Sequence, residues 1–237
     1  MEITRFWDAL PDRAREALRR EGTTVMMKPG ALLTREHTHT SQVFVLHRGA
    51  VKVWVDRAGD IAILDVLGPG DLVGELEAVD GGVRHANVEA LTAVEATRLT
   101  ADRFRRVLDA HPGTVWTVAA VLAERLRDAN ELRIAHFPDD PERRLAGRLL
   151  RLTSRFGAPP AADGGSGNGA AAAVEVRLPV SQQDLGRWAG MGRRKVAQIL
   201  TAESVRGGLA VARNVIVARN VIVVRSADAL RRLANGD

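Results

Sequence analysis

Hydrophobic positions change their spacing several times along the chain. Residues 3–20 repeat them at helical intervals, with Phe6, Trp7, Leu10, Ala14, Ala17 and Leu18 on one face, which predicts an amphipathic helix. From Thr23 to about Thr100 short runs alternate with glycine turns: KPG (28–30) before ALL, SQVFVLHRG (41–49) into AVKVWV, then DIAILDVLGPGD and HANVEALTAVEATRL. Many short strands at such spacing predict an antiparallel barrel or double-sheet roll. Helical spacing returns with a short helix at 102–109. After a break at His111-Pro112, one long helix runs from Thr114 to about His136 without internal glycine or proline. Its Ala119, Leu122, Leu126 and Ala129 form a seam that suits pairing with a second copy or packing on its own domain.

FPDDPERR (137–144) reads as a hinge, because proline restricts Asp140 and the acidic residues suit a helix start. A helix over 142–156 turns Leu145, Leu149, Leu152 and Phe156 inward. GAPPAADGGSGNGAAAA (157–173) has no period and is expected to be a flexible insertion, before VEVRLPV returns as a strand.

The stretch Ser181 to Thr201, SQQDLGRWAGMGRRKVAQILT, follows. As two helices around a tight turn it places Leu185, Ala189, Met191, Val196 and Ile199 inward. Gly186 falls where the helices approach closely, and Gly190 where a left-handed turn suits glycine. This is the helix-turn-helix pattern, whose second helix enters the DNA major groove. Arg193, Arg194, Lys195 and Gln198 are the candidate base-reading residues, and Ser181 at the start of the motif joins them as a DNA contact. An ordinary αα-hairpin with a basic face is the alternative. GLAVARNVIVARNVIVVR holds two copies of ARNVIV (212–217 and 218–223) and predicts a β-hairpin wing. Arg213 and Arg219 are candidate phosphate contacts, and mere lengthening of the strands is an equal alternative for the repeat. SADALRRLA closes the chain as a helix capped by Ser226.

Composition sharpens this picture. The net charge is +5, but from Ser181 onward ten Lys/Arg face four Asp/Glu, whereas 24 face 25 before it. The basic excess sits in the helix-turn-helix and its tail, which suits a polyanion such as double-stranded DNA. Only three of the 34 basic residues are lysine, so the placement of arginine matters more than its abundance. No cysteine is present, which excludes disulfides, thiolate zinc sites and cysteine-bound iron–sulfur clusters. No leader and no apolar run of spanning length is evident, so a soluble cytoplasmic protein without a membrane partner is expected.

A β-roll, a long helix and a winged helix in this order resemble the cyclic-AMP receptor protein / fumarate–nitrate regulator (Crp/Fnr) family over nearly the whole chain. The resemblance rests on GPGDLVGEL (68–76), an arginine nine residues after Glu75, and the ungapped helix-turn-helix. It implies an α+β fold: a jelly-roll sensor of the cyclic-nucleotide-binding type at 1–110, a dimerisation helix at 111–137 and a winged helix-turn-helix at 138–237. It further implies a homodimeric transcription regulator that contacts RNA polymerase.

Gly74-Glu75 is expected to open a short helix whose free N–H groups suit a phosphate, with Arg84 adding a charge-assisted contact. In the family this glycine–glutamate–arginine set binds cyclic nucleotides, so Glu75 resembles the ribose contact and Arg84 the phosphate contact, with Leu76 and His85 beside them. Two positions depart from the pattern. His85 replaces a small or hydroxyl residue, and Ala129-Asn130 replaces the Thr-Ser pair that meets adenine, although Asn130 can still bond a base. No cofactor is required; cyclic AMP, cyclic GMP and cyclic di-GMP are the candidate effectors. The alternative is a degenerate pocket in which Glu75 and Arg84 pair with each other. In the recognition helix Arg193 matches the guanine-reading arginine, Arg194 stands where a cytosine-binding glutamate is usual, Gln198 replaces an arginine, and Gly192 replaces a Ser/Thr cap.

An enzymatic alternative exists. Gly30…His37-Thr38-His39…Gln42…Gly49 approximates the first metal motif of cupins, and a His-x-His pair on a strand puts both imidazoles on one face. Gln42 stands where that motif has a glutamate ligand, and no histidine follows Pro69-Gly70. No Gly-x-Ser-x-Gly elbow or Walker loop is present, so no catalytic residue and no metal ligand is assigned.

Overall fold

A computed structural model describes residues 5–134, 140–159, 174–201, 215–218 and 221–235. It divides into two compact units, Met1–Asp128 and Ala129–Asp237.

The first unit is the roll. Eight strands follow helix α1 (Asp12–Glu21): β1 (Thr23–Met27), β2 (Leu32–Thr34), β3 (Gln42–Arg48), β4 (Val51–Arg57), β5 (Asp60–Leu67), β6 (Leu72–Val73), β7 (Asn87–Ala90) and β8 (Val94–Thr100). A six-residue helix, α2 (Glu75–Asp80), lies between β6 and β7. Helices α3 (Ala101–Ala110) and α4 (Gly113–Ile134) follow β8. The strands form two four-stranded antiparallel sheets, ordered β1-β8-β3-β6 and β2-β7-β4-β5.

Strand β3 shows why VFVL reads as unbroken apolar sequence. Val43 and Val45 join a core with Phe6, Leu18, Phe104, Val118 and Val121 of the helical side, whereas Phe44 and Leu46 join a second core with Val73, Val88 and Ala96 between the sheets. A strand buried on both faces needs no polar alternation.

The N-terminal helix departs from expectation: it begins at Asp12, not residue 3, and Pro11 occupies its N-cap position in extended conformation. Proline lacks an N–H and disfavours a helical residue before it, so residues ahead of Pro11 turn instead. Phe6, Leu10, Ala14, Ala17 and Leu18 are nevertheless all buried together, as the apolar pattern requires. On α4 Thr114, Val118, Val121 and Glu124 are buried; Ala119, Leu126 and Ala129 of the expected seam are exposed, and Leu122 is partly buried.

The second unit holds α5 (Pro141–Phe156), β9 (Val174–Arg177), α6 (Gln182–Ala189), α7 (Arg193–Thr201), β10 (Val215–Ala218), β11 (Val221–Val224) and α8 (Ala227–Asn235). Asp140 caps α5 by accepting from the Arg143 N–H, and Ser226 accepts from the Ala229 N–H at the start of α8. Leu145, Leu149, Leu152, Leu185, Trp188, Val196, Val224 and Leu230 are buried; Phe156 is only half-buried. Strands β10 and β11 form an antiparallel hairpin extended by β9. Each ARNVIV copy contributes one strand of that hairpin. Arg213, Arg219 and residues 160–173 of the expected insertion lie outside the described residues.

Candidate functional site

Two sets of predicted residues converge, one in each unit. In the roll, the turn Gly68–Asp71 is closed by the Gly68 N–H on Asp71 Oδ2 (2.8 Å) and leads through β6 to Gly74. Gly74 takes φ +78°, and a Cβ there would stand 2.5 Å from Arg84 Nη1 and 2.6 Å from the Gln42 carbonyl. Only glycine tolerates both that backbone and that crowding. It opens α2, as expected.

Arg84 is 1% exposed. Its backbone is held by the turn after β2: the His37 N–H donates to its carbonyl (2.9 Å) and its own N–H to Thr38 (3.0 Å). Its Nε donates to Thr40 Oγ1 (2.8 Å) and Nη2 to the Gln42 carbonyl (2.5 Å). Nη1 donates to the Gly74 carbonyl (3.2 Å) and to Glu77 Oε2 (2.6 Å). The other Glu77 oxygen accepts from the His85 N–H (3.1 Å), with His85 Nδ1 at 3.2 Å.

Glu75 is also buried, but its partner is Arg125 of α4, whose Nη1 donates to Glu75 Oε1 (2.5 Å) and Nη2 to the Leu72 carbonyl (2.6 Å). Glu75 and Arg84 therefore do not pair with each other, contrary to the degenerate-pocket alternative; each takes a different partner. Burial alone would raise the Glu77 pKa, yet its bonds to backbone N–H groups and to Arg84 hold it below the ordinary carboxylate range. At Arg125 burial opposes the charge, but Glu75, Asp71 and Asp65 outweigh it and raise the pKa.

Leu76 and His85 are exposed beside this pair, and Asn130 is an exposed residue of α4 that belongs to the second unit. Glu77, Thr40 and Arg125 are not among the sequence candidates, and Gln42 is named there only for the cupin-like motif. Arg125 had a sequence signal, since it continues the inward Val118, Val121 spacing of α4 with a charge. His37 and His39 lie in a turn, both exposed, with His37 in left-handed conformation. The premise of a strand-borne His-x-His chelate does not hold, and among the described residues no cluster of His, Asp and Glu is suited to a metal ion.

In the second unit Ser181 is the N-cap of α6. Its Oγ accepts from the Asp184 N–H (3.1 Å) and donates to Asp184 Oδ2 (2.5 Å), and its own N–H donates to the same oxygen (3.0 Å). This reciprocal box commits the Ser181 hydroxyl to the helix. Gly190 turns the chain at φ +67°. A Cβ on Gly186 would lie 2.6 Å from the Met191 carbonyl and 3.3 Å from Val196, so this glycine sets the close approach of α6 to α7. Val196 and Ile199 are buried, Met191 is half-buried, and Arg193, Arg194, Lys195 and Gln198 are all exposed.

Three cations thus occupy the first turn of α7, with no carboxylate there. The positive end of the helix dipole opposes them by about 0.3–1 kcal/mol each. Helix stability does not explain such a placement.

A double antiparallel sheet carrying α2, followed by a long helix and a helix-turn-helix, is a β-roll followed by a helix-turn-helix fold. The family model described as "Cyclic nucleotide-binding domain" matches residues 24–111. The CRP-like cAMP-activated global transcriptional regulator of Mycobacterium tuberculosis is 31% identical over 169 residues, 70% of each chain. The cAMP-activated global transcriptional regulator CRP of Escherichia coli is 28% identical over 161 residues, 67% of this chain and 71% of that one. The solved structure of CLP, a c-di-GMP responsive global regulator from Xanthomonas campestris, aligns with a TM-score of 0.67 at 16% identity, over 91% of this chain and 100% of that one. The chain belongs to the Crp/Fnr family of transcriptional regulators. Among the described residues no helix is long and apolar enough to cross a membrane.

Proposed function

We propose that this protein is a sequence-specific regulator that binds double-stranded DNA as a homodimer through α7. The observation that carries this is the exposed first turn of α7, where Arg193, Arg194 and Lys195 stand against the helix dipole with Gln198 one turn on. Double-stranded DNA supplies the missing anions and the base edges.

Dimerisation is supported by an exposed apolar side of α4, where Trp116 is 79% exposed and Leu126 63%, with Ala119 also exposed. A two-fold dimer presents two recognition helices to half-sites about 34 Å apart, so the operator is a near-palindrome. Contact of the bound dimer with RNA polymerase, implied by the family resemblance, completes this reading. No catalytic step is assigned to the chain.

Selection from a random duplex pool tests the proposal. A near-palindromic site with two half-sites one helical turn apart should be enriched. Failure to retain any duplex at low ionic strength overturns the assignment. Arg193→Ala should lose about 1–3 kcal/mol of discrimination at one base pair per half-site, while its affinity for random duplex stays within a few-fold of wild type. Equal losses on specific and random DNA would instead make Arg193 a phosphate contact.

A further inference from the structure

A cyclic nucleotide brings a phosphodiester charge, and a buried anion needs a buried cation. Among the described residues Arg84 and Arg125 are the cations paired with carboxylates of α2, and neither is available; Arg105 also reaches α2, its Nε donating to the Ala78 carbonyl (2.7 Å), but from the exposed side. Arg125 is taken by Glu75 at 2.5 Å, with Asp71 and Asp65 adding to the field around it. Arg84 is taken by Glu77 at 2.6 Å, and its remaining donors go to Thr40, Gln42 and Gly74. The Arg84 and Arg125 guanidinium groups are thus each engaged by a carboxylate of α2, Glu77 and Glu75. A phosphodiester entering here would meet guanidinium groups that already hold carboxylates. It would also have to displace Glu77 from a guanidinium that is 1% exposed.

Glu77 is itself held in place. One carboxylate oxygen takes Arg84 and the other takes the His85 N–H and ring, and the side chain is only 6% exposed. Being part of the chain, it competes at an effective concentration far above that of any free ligand.

We propose that Glu77 is the specificity-determining residue of the roll: its carboxylate fills the place on Arg84 that a ligand's phosphate would take. The unmodified roll is therefore self-liganded and excludes ligands whose affinity depends on a phosphate group. The regulator binds DNA without a cyclic nucleotide. This rests on the roll being the cyclic-nucleotide-binding-type module of a DNA-binding regulator, and it assigns that module an internal anion in place of an effector.

Calorimetry and thermal melting of the full chain with cyclic AMP, cyclic GMP, cyclic di-GMP and inorganic phosphate test it, on wild type, Glu77→Gln, Glu77→Ala and Glu77→Ala/Arg84→Ala. Wild type should give no heat at millimolar ligand and no phosphate-dependent rise in melting temperature. Glu77→Ala should bind at least one cyclic nucleotide at least about tenfold tighter than the wild-type limit. Its melting temperature should rise with inorganic phosphate, because a ligand that binds only the folded form stabilises it. The double variant should lose both responses. Glu77→Gln keeps the size and an acceptor oxygen for Arg84, so it remains folded even if the alanine variant does not, and it should show the phosphate response.

Nucleotide binding by wild type that Glu77→Gln leaves unchanged overturns the proposal. So does the absence of any anion response in folded Glu77→Gln. Retention of duplex DNA by nucleotide-free wild type is measured separately. Its failure removes the DNA-binding assignment while leaving the anion results to stand or fall alone.

Discussion

Arg84→Ala is expected to cost the roll about 3–5 kcal/mol at neutral pH, because it strands the Glu77 carboxylate in a buried site. The loss is larger than a surface ion pair produces, since exposed pairs are typically worth under about 1 kcal/mol. It should also depend on pH, with a sign fixed by the carboxylate. In the wild type the Glu77 pKa is depressed, so its contribution is present above the ordinary unfolded value of about 4.3 and is lost as the pH falls through the lower folded value. In Arg84→Ala burial persists without the guanidinium, the carboxyl accepts a proton more readily, and the penalty relative to wild type shrinks between neutral pH and about pH 4. Replacing both partners by apolar residues should cost less than removing Arg84 alone. Urea denaturation followed by tryptophan fluorescence measures this, because Trp7, Trp54 and Trp116 belong to the first unit. A loss under about 1 kcal/mol, or one that does not vary with pH, would show that Glu77 is satisfied without Arg84.

That the roll and the helix-turn-helix could be read from residues alone has a local cause. Val43, Phe44, Val45 and Leu46 are buried on both faces of a strand, and Gly186 and Gly190 meet steric demands set within a few residues of themselves. Such constraints leave a spacing in the sequence. The α2 site was only half legible for the opposite reason. Gly74, Glu75 and Arg84 form a recognisable string, but the partner of Glu75 is Arg125, 50 residues away. The partner of Arg84, Glu77, sits two residues after Glu75 in a helix where acidic residues look like ordinary N-terminal charges. Ion-pair choice is settled by tertiary packing, and no periodicity encodes it. The shortened α1 has a simpler origin: Phe6 and Leu10 keep the stripe buried across Pro11 without a continuous helix.

The two sites also differ in how each meets its anion. In the roll the guanidinium of Arg84 is buried and its carboxylate is supplied from within; on α7 three cations are exposed and have no carboxylate in their own turn. A buried cation has to be neutralised for the fold to exist, whereas an exposed one can wait in water for a partner. On the proposed reading the second arrangement leaves a site for an external polyanion, and the first removes one.

For the same reason the largest effect on DNA binding should come from beneath α7 and not from its surface. Among the described residues Trp188 is the largest fully buried side chain, 1% exposed, and the Arg148 guanidinium of α5 lies over its ring at 5.1 Å from the centroid. Trp188→Ala removes that ring from α6 and is expected to cost the second unit about 3–5 kcal/mol, the usual loss for an aromatic cavity. Helix α6 carries Gly186, on which the turn before α7 rests: the Met191 N–H donates to the Gly186 carbonyl at 2.8 Å. Loosening α6 therefore displaces Arg193, Arg194, Lys195 and Gln198 together. Sequence-specific binding should be lost at a temperature where Arg193→Ala still binds. The roll's fluorescence transition should stay where it is, because Trp188 lies in the other unit. Trp188→Phe keeps an aromatic face for Arg148 and most of the volume, so it should fall between the two. Duplex retention across a temperature series, with circular dichroism to follow the helices, separates these outcomes. If Trp188→Ala held its operator as tightly as wild type at 37 °C, the packing of α6 would not be what positions α7.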